Sequence, residues 1–167
     1  MKFSSSEEYG LRCMLQMAKK GPQGTATIQE LAQKEGMTSA YVAKIMSALR
    51  KGGMVQSIRG QSGGYKLAKP ANETNVNEVL EALGGKFFTK EEYCSTSTTS
   101  HAICIHNMDC AVRSLWTGLE LAMSGYLKKC KLSDLVMTEP EMEKWLVKAN
   151  AKPLAAVGEK ANAEKTR

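Results

Sequence analysis

The stretch TIQELAQKEGMTSAYVAKIMSALRKGGMV, Thr27 to Val55, decides the fold. Thr27 followed three residues later by Glu30 is a capping box, in which each residue satisfies a backbone N–H that the start of a helix leaves open. Leu31 and Ala32 carry an apolar face that Gly36 stops. Beyond the break, Ser39 can cap another helix, whose Val42, Ile45, Met46 and Leu49 fall at i, i+3, i+4 and i+7 and so form one buried stripe. Gly52-Gly53 ends it. Outside the stripe lie Ser39, Ala40, Tyr41, Ala43, Lys44, Ser47, Arg50 and Lys51: small residues, one aromatic ring and three cations, a face suited to a major groove. Two short helices joined by a tight Gly turn match the helix-turn-helix pattern, and an ordinary αα-hairpin is the plain alternative.

The residues on either side favour DNA. Met54–Arg59 and Tyr65–Ala68 are short alternating segments around Gly60-Gln61-Ser62-Gly63-Gly64, the pattern of a β-hairpin with a glycine tip. Such a hairpin is a wing: Arg59 can enter a narrow, strongly negative minor groove, with Lys66 and Lys69 near phosphates. Upstream, Ser4–Ser6 offer N-caps, Glu7 and Glu8 suit the positive end of a helix, and Leu11, Leu15 and Ala18 repeat at helical spacing to about Lys20, before Gly21-Pro22. The charge is divided. The first 70 residues carry 11 Lys and Arg against 4 Asp and Glu, and the remainder 12 against 13, so the whole positive excess lies in the first part. A localised basic excess is the footprint of a phosphate-binding surface, although a merely soluble basic domain shares it.

Pro70 to Asn75 reads as a linker, and Val76, Val79, Leu80 and Leu83 mark a short helix ended by Gly84-Gly85. The segment CSTSTTSHAICIHNMDC follows, from Cys94 to Cys110, with three cysteines and two histidines. Its spacing fits no zinc ribbon. From Asp109 a longer pattern opens, with Val112, Leu115, Trp116, Leu119, Met123, Tyr126 and Leu127 at steps of three and four. Such a stripe outside the winged domain is expected to pair with its copy in a second subunit, or else to pack on its own domain. Leu132 to Lys148 can add a helix, and the end beyond Asn150 lacks a stripe and reads as a disordered tail. The expected organisation is a winged helix-turn-helix domain over 1–70, a linker, short helix and cysteine loop over 71–108, a dimerisation helix and C-terminal helix over 109–149, and a tail over 150–167.

The fold class is therefore mainly α with a small β-hairpin. Met1 to Gly10 has no apolar stretch resembling a signal peptide, and no window approaches the ~18 apolar residues of a membrane span, so a cytoplasmic protein with reduced thiols and no membrane partner is expected. No phosphate loop or nucleophile motif is present, which argues against an enzyme. Cys13 falls on the apolar side of the first helix and reads as a buried structural thiol, and Cys130, among Lys128, Lys129 and Lys131, as a surface cysteine.

With these residues in view, the sequence resembles the small dimeric winged-helix regulators of bacteria that include IscR and NsrR, many of which carry an iron-sulfur cluster. The resemblance runs from Met1 to about Leu135. It rests on MKFSSSEEYGLR, the helix-turn-helix stretch, the wing SIRGQSGGYKLAKP, the segment VNEVLEALGG and the three cysteines before the long helix. It implies a cluster (2Fe-2S or 4Fe-4S) on Cys94, Cys104 and Cys110, the third helix in the major groove, the wing in the minor groove, and dimerisation through the long helix. Family members space the cysteines about equally, whereas here nine residues separate the first pair and five the second. Arg113 stands where IscR places a histidine. The fourth ligand is Glu8, which matches the acidic N-terminal ligand of NsrR-like members and would come from the other subunit, or His106, with His101, water or an external thiol as further alternatives.

The expected function is a homodimeric regulator, a repressor, that binds a double-stranded DNA operator through Ser39, Tyr41, Lys44, Ser47, Arg50, Lys51, Arg59 and Lys66, and dimerises through Val112, Trp116, Leu119, Met123 and Tyr126. The resemblance points to genes of iron-sulfur cluster assembly or of nitric-oxide and oxidative stress. Alternatives are a thiol-redox or metabolite sensor of the same fold without a cluster, zinc on the cysteines, and a protein-interaction module.

Overall fold

The computed structural model describes residues 3–60, 63–85 and 109–150. Helix α1 spans Ser5–Ala18, capped by a box in which Ser4 and Glu7 satisfy each other's backbone N–H. It ends two residues before the expected Lys20. Helix α2 spans Ile28–Glu35 with the Thr27/Glu30 box formed, and Gly36 closes it with φ 65°, a left-handed conformation open to glycine. Helix α3 spans Ser39–Lys51. Its cap is Thr38, whose Oγ1 accepts the Tyr41 N–H at 3.3 Å, so Ser39 is the first helical residue and not the expected cap.

Strands β1 (Val55–Ile58) and β2 (Gly64–Leu67) pair antiparallel with Val55 opposite Leu67 and Ile58 opposite Gly64. The sequence reading missed a third partner. Ala26 exchanges both backbone hydrogen bonds with Tyr65 at 2.9 Å, which ties β2, toward its tip end, to the entry of α2.

The core takes Cys13, Met14 and Met17 from α1, Leu31 and Ala32 from α2, the whole expected stripe Val42, Ile45, Met46 and Leu49 from α3, and Val55 and Leu67 from the hairpin. Each helix presents one apolar face at its 3.6-residue period, and three such faces with one strand pair close a small core. Lys20 reinforces the joint of α1 and α2, donating to the Thr25 carbonyl at 2.6 Å and pairing with Glu30 at 3.0 Å. The Thr27 N–H and then Lys20 hold the Glu30 carboxyl below its ordinary range.

Helix α4 (Val76–Ala82) packs Val79 into the same core, capped by Asn75. Helix α5 spans Ala111–Leu127, and a 3₁₀ turn follows at Asp134–Val136. The segment read as a linker is held down. Val76 N–H donates to the Cys130 carbonyl, Leu132 N–H to that of Thr74 and Ser133 N–H to that of Ala71, so the chain after α5 lies along the entry of α4 and sends Leu132 into the core. Cys130 is buried with it, and the expectation of a surface cysteine is corrected: its Sγ–H donates to the Tyr126 carbonyl at 3.5 Å, and burial pushes the thiol above its ordinary range.

Residues to Val136 form one compact unit, and those from Met137 on form another. In the second, helix α6 (Glu139–Asn150) begins where the N–H and hydroxyl of Thr138 both donate to Glu141 Oε2 at 2.8 Å. The tail expected beyond Asn150 lies outside the described residues. No helix among the described residues is long and apolar enough to cross a membrane.

Candidate nucleic-acid interface and sensor region

The face of α3 opposite its buried stripe is basic. Ser39, Lys44, Arg50 and Lys51 are exposed, and Ser47 is half-buried. Arg59 is exposed where β1 leaves the hairpin, and Lys66 is half-exposed on β2. Among the described residues, Lys44, Arg50, Lys51 and Arg59 form no ion pair. The wing tip, Gln61 and Ser62, lies outside the described residues. Lys69, expected near phosphate, lies 3.8 Å from Glu78 Oε2.

Tyr41 departs from its expected place. It is half-buried and packed against the core, with its ring meeting that of Tyr9 edge to face at 6.2 Å. Besides the shared core, α1 meets α3 along a further edge of the helix, where Tyr9 and Tyr41 touch.

Of the expected cluster ligands, Cys94, Cys104 and His106 lie outside the described residues, as does His101. Cys110 is the N-cap of α5, half-exposed, with its Sγ accepting the Arg113 N–H at 3.4 Å. A helix N-terminus supplies outward-pointing N–H groups and a positive dipole end, and one of these N–H groups is donated to the Cys110 sulfur. Glu8 is exposed on the first turn of α1, where Arg12 Nη2 pairs with it at 2.8 Å. Glu8 and Arg12 line an open, mostly apolar cleft of about 430 Å³ between α1, α4 and the end of α5, and Cys110, at the other end of α5, does not. Among the described residues, no group of three His, Cys, Asp or Glu converges to hold a metal.

Along α5, Val112, Leu115, Trp116 and Leu119 are 51, 66, 41 and 42 % exposed, whereas Met123 and Tyr126 are half-buried and Ser124 is buried. The helix is therefore anchored by its last turns. Its first three turns carry an apolar stripe that this chain does not cover within the described residues.

Residues 3–138 match the family model Rrf2, described as an iron-dependent transcriptional regulator. The chain belongs to the Rrf2 family. Among Rrf2 relatives, the HTH-type transcriptional regulator IscR of Photobacterium profundum is 29% identical over 136 residues, 81% of this chain and 76% of that one. The solved structure of CymR, the global cysteine regulator of B. subtilis, superposes with a TM-score of 0.64 at 28% identity, over 81% of this chain and 96% of CymR. T. potens IscR, at 22% identity and a TM-score of 0.60 over 90% of this chain and 91% of its own, shares the fold. The winged-helix Rrf2 architecture is thus shown, and the chain is a transcriptional regulator of that family.

Proposed function

We propose that this Rrf2 regulator binds a double-stranded DNA operator as a homodimer and represses transcription, with its affinity set by an iron-sulfur cluster on Cys94, Cys104 and Cys110. The observation that carries the DNA reading is the row of exposed cations on α3 and at the end of β1, Lys44, Arg50, Lys51 and Arg59, none in an ion pair among the described residues. The first three lie on the helix that would enter the major groove and Arg59 on the wing that would reach the minor groove, with Ser39, Ser47 and Lys66 flanking them. A dimer pairing through Val112, Trp116, Leu119, Met123 and Tyr126 would set two such surfaces on half-sites about one helical turn apart or slightly more.

The donor set fits a cluster. Cys110 offers a half-exposed thiol at a helix start, and Glu8 an exposed carboxylate able to serve a partner's site, with His106 as its rival for the fourth position. A cluster held there would supply a centre that reacts with oxidants or nitric oxide, and a weak oxygen or imidazole ligand would leave one iron more open to exchange. Ligation of Glu8 across the dimer would take its carboxylate from Arg12 and bias the angle between the winged domains. The likeness to IscR supports a reading in which this regulator controls cluster-assembly genes, or nitric-oxide and oxidative stress genes. Similarity to CymR favours a second reading, a cluster-free sensor of thiol oxidation or of a metabolite.

Anaerobic purification with a visible spectrum and iron and sulfide analysis, on wild type and Cys104→Ala, separates the two. Cysteine-dependent absorbance near ~400 nm with stoichiometric iron and sulfide supports the cluster; a colourless, iron-free protein after reconstitution supports the second reading. The salt dependence of binding tests the DNA surface itself. About 6–10 phosphate contacts predict a loss of roughly a thousandfold or more between ~50 and ~200 mM salt, and a flat response would point to a protein-interaction module.

A further inference from the structure

We propose that Tyr9, held under Arg12, is the positioning residue for the recognition helix: it fixes Tyr41, and with it the rotation of the first turn of α3 at which that helix would meet DNA. The inference rests on the DNA-binding reading of α3 for its consequence, but not for its geometry. The rings of Tyr9 and Tyr41 meet at 6.2 Å with their planes 84° apart. The Arg12 guanidinium lies 5.6 Å from the centre of the Tyr9 ring. Arg12 is itself held from two sides, by Glu8 at 2.8 Å and by Glu35, on the last turn of α2, at 4.0 Å; Glu35 also accepts from Gln16 Nε2 at 2.7 Å.

What distinguishes this contact is direction. The other anchors of α3, Val42, Ile45, Met46 and Leu49, are aliphatic or thioether side chains: their burial sets which face of the helix meets the core, but the contacts themselves have no preferred angle. An edge-to-face pair and a cation over a ring have preferred geometries. Tyr41 is the third residue of α3, between exposed Ala40 and the turn that presents exposed Lys44. A small roll of this turn moves the groove-facing side chains together, and phosphate contacts tolerate such a shift better than base contacts do. Loss of the Tyr9 ring therefore lowers affinity for a preferred sequence and leaves affinity for any sequence.

The test uses the full-length protein with two duplexes, one selected by wild type from a randomised library and one scrambled from it, together with amide spectra of ¹⁵N-labelled protein. Tyr9→Leu is expected to shift the amides of Ser39–Lys44 and not those of the hairpin. It should weaken binding to the selected duplex by about two- to tenfold, the range expected for loss of an aromatic pair, with the scrambled duplex unaffected. Tyr9→Phe, which keeps the ring, should restore both readouts. Arg12→Gln, at an exposed position, repeats the experiment should the Leu variant not fold. Unmoved α3 amides, equal loss on both duplexes, or failure of Phe to rescue would each overturn the proposal. If wild type selects no duplex, the DNA reading falls, and the amide shifts and their rescue by Phe still decide whether Tyr9 positions α3.

Discussion

The backbone N–H of Leu132 donates to the carbonyl of Thr74 at 2.9 Å, and the Leu132 side chain is fully buried in the core shared by α1, α3 and α4. A residue beyond the long helix thus completes the core of the winged domain, and α5 is anchored to that domain at its C-terminal end. Truncation of Leu132 to Ala should lower stability by about 2–5 kcal/mol, the range for deleting a buried leucine. Urea denaturation at one fixed protein concentration measures it; a loss under ~1 kcal/mol would show that the segment is not a structural part of the core.

Gly64 brings the hairpin backbone close to the entry of α2. A Cβ built there would lie 2.7 Å from the Ala26 carbonyl oxygen and 3.1 Å from its carbon, both main-chain atoms fixed by the hydrogen bonds between Ala26 and Tyr65. Gly64→Ala is expected to cost about 1–3 kcal/mol, as over-packing does, and to splay the hairpin from α2. Unchanged thermal unfolding would mean that Ala26 gives way freely.

The apolar stripe of α5, which no described residue covers, predicts the oligomeric state. Trp116→Glu with Leu119→Glu places two charges where a partner helix would lie, and burying unpaired charge is strongly unfavourable. Sedimentation should show a dimer in wild type and a monomer with an intact helical spectrum in the double variant. A double variant that stays dimeric would move the interface elsewhere.

Local chemistry made much of this molecule legible. The capping box at Thr27/Glu30, the stop at Gly36 and the stripe on α3 each depend on residues within one or two turns, so the helix-turn-helix could be read from one window of sequence. Tyr41 could not. Its period placed it on the outer face of α3, and only the packing of α1, more than thirty residues upstream, brings Tyr9 against it. Leu132, Cys130 and the bridge between Ala26 and Tyr65 escaped for the same reason, because backbone pairing between distant segments leaves no periodic mark. Cys94 and Cys104 rest on the sequence alone, and Cys110 joins the structural account through its place at the start of α5.

Cys13 gives a prediction in pH. Burial, and then the nearby Glu35 carboxylate, push its thiol up to about 12, against ~8.5 for a thiol in an unfolded chain. Below the unfolded value the thiol is protonated in both states and contributes no slope. Between that value and the folded one, the unfolded chain has released its proton while the folded protein retains it. Rising pH therefore draws the equilibrium toward unfolding, by up to about 1.4 kcal/mol per pH unit. Cys130 and Tyr126, both raised first by burial, act in the same direction. Cys13→Ala removes one of these groups and leaves the others, so its urea-unfolding free energy should fall less steeply than that of wild type between about pH 8.5 and 10.5. Parallel slopes would mean that the Cys13 thiol ionises as readily in the folded core as in the open chain, and that water reaches it there.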